Sequence, residues 1–157
     1  MLELLKELER RVKNLEVITQ NVLRIGKVVN RYPEKNTVRV EFERAKNEDK
    51  TVSYELPILQ PKTLKDKFYY MPEEGEYVLC VFLPYALDVG FVIGSYYNNV
   101  IPTPVSDNKK FHLAFEDGTT FEYDKANHKL YIHSVGDIEI ISDTHITLKA
   151  PRIDLNP

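Results

Sequence analysis

The sequence predicts a mainly β, self-associating structural chain with a single helix at its N-terminus. Three observations carry that expectation. The first is an apolar seam at heptad spacing within the opening 21 residues. The second is a set of short strand-forming runs between Val22 and Val105. The third is a C-terminal ladder of aliphatic pairs repeating about every eight residues.

Residues 1–21 read as one helix. Leu5, Leu8, Val12, Leu15 and Val22 are spaced 3, 4, 3 and 7, with Thr19 at the weak position, and that alternation describes a coiled-coil seam. Glu3, Lys6, Glu7, Glu9, Arg10, Arg11 and Lys13 lie mostly off it. Isolated helices of this length are marginal in water, so the helix needs a partner. That partner is either another copy in a coiled coil or the helix's own domain. Gly26 marks a point by which the helix has ended.

Residues 22–105 change to strand patterns. Arg24 to Val29 and Thr37 to Phe42 flank the turn-forming Tyr32-Pro33-Glu34-Lys35-Asn36. The second run alternates, with Val38, Val40 and Phe42 on one face and Thr37, Arg39, Glu41 and Glu43 on the other. A polar excursion from Arg44 to Lys50 leads to a third run, Thr51 to Leu59. Tyr77 to Leu83 follows, apolar on both sides as expected of a central strand covered on both faces, and then Gly90 to Tyr97. Five short strands suggest a small Greek-key barrel of the OB type, with an SH3-like barrel as the nearest competitor.

Residues 106–157 change character again. Phe111, Leu113 and Phe115 alternate with His112 and Ala114, and Asp117-Gly118 before Phe121-Glu122-Tyr123 is a strong hairpin signal. After a second turn at Asp124 to Asn127 come the pairs Leu130/Ile132, Ile138/Ile140, Ile146/Leu148 and Ile153/Leu155. The first three are eight residues apart and the last arrives one residue early. Residues two apart share one face of a strand, while Tyr131, Glu139, Thr147 and Asp154 point away. A two-residue apolar face cannot be buried by its own short strand. The solutions are a single-chain solenoid or several copies wound together. The second is preferred, because four repeats without a cap are few. Burial of each aliphatic side chain contributes about 1.5–3 kcal/mol, against a backbone ordering cost of about 1–2 kcal/mol per residue.

Composition narrows the functions. With 43% hydrophobic and 29% charged residues, the 157 residues form a globular chain of one domain or two small ones. A net charge of -3 and a pI near 5.8 argue against nucleic-acid binding, which needs clustered basic residues. The single Cys80 excludes an intrachain disulfide and a multi-cysteine zinc site, and is read as an inert core thiol. No apolar run approaches the roughly 20 residues that span a bilayer. The opening Met1-Leu2-Glu3-Leu4-Leu5-Lys6-Glu7 lacks the features of a signal peptide. A soluble chain kept in the cytoplasm until assembly or lysis is expected.

No nucleotide-binding loop, nucleophile elbow or zinc-protease helix is present. His112, His128, His133 and His145 are scattered, and His133 and His145 have the outward parity of the ladder. Glu73-Glu74-Gly75-Glu76 is the densest acidic cluster and reads as a solvated turn. Tyr69, Tyr70, Tyr96 and Tyr97 are candidates for a sugar- or base-stacking face, as OB barrels often carry. No catalytic residue, metal ligand or cofactor site is assigned, and the chain is expected not to be an enzyme.

The order of these parts resembles the baseplate assembly protein V family of contractile-tailed phages and the related valine-glycine-repeat spikes of type VI secretion systems. The residues that carry the resemblance are Arg24 to Val29, Met71 to Phe82, Asp88 to Asn98, Asp117 to Asp124 and the Ile-x-Ile octads. The resemblance covers about residues 22–155. It implies a homotrimer with an OB-fold barrel (22–105) and an intertwined triple-stranded β-helix shaft (106–157), to which the helix (1–21) would add a trimeric coiled coil. Leu5, Leu8, Val12, Leu15, Leu130, Ile132, Ile138, Ile140, Ile146, Leu148, Ile153 and Leu155 would form the trimer interface. The implied function is a membrane-puncturing central spike in a virion or tail-like particle, partnered by baseplate hub and tail-tube proteins and driven against a target envelope. Some relatives carry a lysozyme domain between barrel and shaft, for which Val105 to Phe111 leaves no room. Others end in a metal-binding His-x-His tip, which has no counterpart here, so a separate tip protein of the PAAR-repeat type is expected. The competing expectation is a trimeric OB-fold module binding oligosaccharide or nucleic acid.

Overall fold

The computed structural model describes residues 1–42 and 50–155. The anticipated polar excursion, apart from Lys50, lies outside the described residues, as do Asn156 and Pro157. The chain is mainly β with one N-terminal helix, and it divides into two compact units, Met1–Pro102 and Thr103–Pro157.

The first unit opens with α1 (Leu2–Val22), in which no residue is buried. Glu3 in its first turn complements the helix dipole, and Glu7 pairs with Arg10 at 2.8 Å. Leu23 already has extended backbone (φ -115°, ψ 125°), so the helix passes directly into β1 (Leu23–Tyr32). The β-branched residues Ile25, Val28 and Val29 favour that switch. The remaining strands are β2 (Thr37–Phe42), β3 (Thr51–Val52), β4 (Leu56–Pro57), β5 (Tyr77–Leu83) and β6 (Ala86–Ser95).

The six strands form one antiparallel sheet in the order β3-β2-β1-β5-β6, with β4 also paired to β2. A parallel bridge between Ile58 and Val92 brings the end of β4 to β6, so two otherwise distant edges meet. The enclosed core is Val28, Val38, Val40, Phe42, Leu56, Ile58, Met71, Val78, Cys80, Phe82 and Val92. The alternation read in β2 is realised, with Val38, Val40 and Phe42 buried and Thr37, Arg39 and Glu41 half-buried. The guanidinium of Arg24 lies 3.8 Å from the centre of the Phe42 ring, which meets Phe82 edge-on at 5.7 Å.

Three details differ from the sequence expectation. The third run is two strands rather than one, because the buried Ser53 interrupts it. The Ser53 hydroxyl accepts from Val40 N (2.9 Å) and donates to Tyr54 O (2.6 Å), so a side chain takes one side of the ladder while Ser53 N still donates to Val40 O. β1 carries a bulge at Val29. There Gly75 N donates to Val28 O, which ties the acidic turn to the strand, and Gly75 adopts φ +96°, the left-handed region that glycine enters without a Cβ penalty. Finally, β5 is covered on one face only. Val78, Cys80 and Phe82 are buried, while Tyr77, Leu79, Val81 and Leu83 are half-buried beside exposed Leu23, Ile25 and Ile93. Among the described residues, no element of this unit packs fully over that second face.

The second unit contains β7 (Lys110–Ala114), β8 (Thr120–Asp124) and β9 (Lys129–His133), an antiparallel meander in the order β7-β8-β9. The first turn is set by Gly118 at φ +92° and by the Asp117 carboxylate accepting from Thr119 N at 2.8 Å. In the second turn, Asp124 accepts from Ala126 N and Asn127 N, and His128 takes a left-handed φ of 52°. From Ser134 to Leu155 no described residue lies in a strand.

Candidate functional site

The residues expected to mediate association lie on open surfaces. Along α1, Leu5, Leu8, Val12 and Leu15 are between 46% and 62% exposed. Leu5, Leu8 and Val12 share a shallow groove with Glu9, Lys13 and Glu16, so charged side chains flank the apolar seam. An apolar stripe of this kind is a surface waiting for a complement.

The meander of the second unit is two-faced. Its register aligns Phe111 with Tyr123 and Leu130 in one cross-strand row, and Leu113 with Phe121 and Ile132 in the next. Phe111 and Phe121 meet edge-on at 6.3 Å. This apolar face is uncovered, with Phe111, Leu130 and Ile132 all more than half exposed. The ladder continues the theme. Ile138, Ile140, Ile146, Leu148, Ile153 and Leu155 are all exposed, as are Val135 and Ile141, which the octad pattern did not single out.

The opposite face of the meander is polar. Glu122 takes Lys110 Nζ at 2.7 Å and His112 Nδ1 at 2.8 Å. These two partners, Lys110 first, hold the Glu122 carboxyl below its ordinary 4.5. A depressed carboxyl supports the folded state above its unfolded value and loses that support as pH falls through the folded one. Acid titration of the meander, followed by circular dichroism, should therefore show Glu122→Gln less stable than the parent at neutral pH. The difference should shrink as pH falls below 4.5.

The other chemistry-bearing residues are dispersed. Glu73 pairs with Arg31, and His133 stacks on Tyr131 at 6.3 Å. Among the described residues no group of three His, Cys, Asp or Glu side chains is placed to hold a metal. Burial pushes the Cys80 thiol up to about 12, so it stays protonated and unreactive at neutral pH.

Of the four tyrosines expected to form a stacking face, Tyr70, Tyr96 and Tyr97 line one cavity of about 320 Å³, whereas Tyr69 does not. Tyr77, Glu76, Ser95 and Ile101 complete its lining. Tyr77 and Tyr96 meet edge-to-face at 6.2 Å and 60°, and Ser95 Oγ donates to Glu76 Oε2 at 2.7 Å. Burial raises the Tyr70 phenol, opposed by its hydrogen bond with Ser95. Sequence reading missed Tyr77 and Glu76 because both sit where a turn enters a core strand. The signal was their adjacency, a carboxylate followed by an aromatic whose side chain has the outward parity of β5.

The fold and its open faces define a mainly β chain that holds much of its aliphatic surface outside its own core. No protein-family model matches the chain. The chain is similar to the spike protein of Escherichia phage P2, at 24% identity over 89 residues. That alignment covers 57% of this chain and 42% of the phage protein, so the chain spans less than half of that relative's length. The likeness supports a phage-spike-like relation at the family level, and with it a structural role.

Proposed function

We propose that the chain is the central spike of a contractile tail or contractile injection system and acts as a homotrimer. In this reading the six-stranded sheet with its β4–β6 bridge is an OB-type barrel. Residues 106–157 of three copies wind into a triple-stranded β-helix, and α1 forms a coiled coil through Leu5, Leu8, Val12 and Leu15. The half-covered face of β5, with Leu23, Ile25 and Ile93, is a further contact between copies. The partners are baseplate hub and tail-tube proteins and a PAAR-repeat tip protein. The task is mechanical, the transmission of force to a target envelope.

One observation carries the reading: the described residues from Ser134 to Leu155 are outside any strand, yet they present aliphatic pairs to solvent at a strand's two-residue spacing. Both the backbone groups outside any strand ladder and the exposed apolar side chains are costly to leave in this state. A single-chain solenoid would pair these segments with one another, and no such pairing occurs among the described residues. Several copies satisfy both demands together. The similarity to a phage spike protein supports the same assignment.

Absolute mass by light scattering tests it. A stable species of three times the 18.3 kDa of one chain is expected, persisting on dilution. A species of one chain's mass would overturn the proposal.

A further inference from the structure

The tyrosine cavity of the first unit is not used by the spike reading, and its chemistry is specific. Four phenol rings and one carboxylate converge on about 320 Å³, a volume at the lower end of ligand sites. No basic residue is in its described lining. Lys27 is the register partner of Tyr77 but does not enter it. Glu76 is fixed at one oxygen by Ser95, and its other oxygen, Oε1, takes no hydrogen bond among the described residues. Glu73, in the same turn, is already paired with Arg31, so Glu76 is the one carboxylate in the described lining.

We propose that this cavity receives a cationic side chain, a guanidinium or ammonium group presented by a partner protein that docks on the first unit.

Three features choose the cation over the other ligands that stack on aromatic rings. Ring faces carry the negative part of the aromatic quadrupole, so several rings and a carboxylate together form an attractive site for positive charge. Tyr77 and Tyr96 stand at 60°, which makes a corner rather than the flat platform on which a pyranose or a nucleobase would lie. The available Glu76 oxygen supplies the charge-assisted hydrogen bond that such a cation requires. All the lining residues belong to the first unit.

The test uses the full-length chain with ring-labelled tyrosine. It is titrated with N-acetyl-arginine methylamide and, separately, with the citrulline analogue of the same shape and no charge. Saturable shifts in the Tyr70, Tyr77, Tyr96 and Tyr97 ring signals are expected with the arginine probe, at an affinity on the order of millimolar for so small a ligand. Salt should weaken the binding. Glu76→Gln should weaken it about tenfold, the loss of one charge-assisted contact. Tyr96→Leu should weaken it too while leaving the remaining tyrosine signals dispersed, which separates lost binding from lost folding. No shift with arginine, equal shifts with citrulline, or binding of a neutral oligosaccharide such as cellotriose in preference to arginine would each overturn the proposal. The mass measurement is independent of all three outcomes.

Discussion

Replacing Ile138 and Ile140 together by Asp is expected to reduce the assembled species to single chains of 18.3 kDa. Both side chains are exposed in one protomer, at 62% and 72%, so little burial within the chain is at stake. Its effect arises only if three copies bury them. In the proposed shaft the lost burial amounts to about 9–18 kcal/mol per trimer, six side chains at about 1.5–3 kcal/mol each. Six unpaired carboxylates in a dry axis add a larger desolvation cost. Glu139→Ala, between them and of opposite parity, should leave the mass unchanged. Light scattering across a dilution series reads both variants. A double variant that keeps the parent mass would show that these pairs are not the interface.

The second large effect is expected from Phe42→Ala, which should cost the first unit about 3–5 kcal/mol in denaturant unfolding. Phe42 is 2% exposed and is among the largest of the fully enclosed side chains. Its ring touches Phe82 edge-on and lies under the Arg24 guanidinium, so truncation opens a cavity and removes both contacts. Tyr85→Ala, at a side chain 86% exposed, should stay within about 0.5 kcal/mol of the parent. Equal losses in the two variants would mean that the core has been misassigned.

These predictions draw unequally on sequence and structure. The strict alternation of Val38, Val40 and Phe42 was legible because a half-buried strand repeats every two residues, and burial follows that period directly. The hairpin at Asp117-Gly118 was legible for a similarly local reason, since few residues accept a positive φ. The split of the third run at Ser53 was not, because it depends on where Val40 N sits across the sheet. The tyrosine cavity was legible only in part, through Tyr70, Tyr96 and Tyr97 but not Tyr77. Its members come from the segment before β5, from β5 itself and from the end of β6, and only the β5–β6 pairing brings Tyr77 beside Tyr96.

The apolar ladder marks the boundary most clearly. By itself the sequence determined that residues 130–155 carry paired aliphatic positions of one parity, because that is a property of spacing. Spacing alone could only favour copies wound together over a chain wound on itself, since both bury the same side chains. Tertiary structure decided what one chain does. The meander stops at His133, and the described residues beyond it lie in no strand, with their aliphatic side chains exposed. The physical reason is that a two-residue apolar face gains too little against the entropy of ordering its own strand.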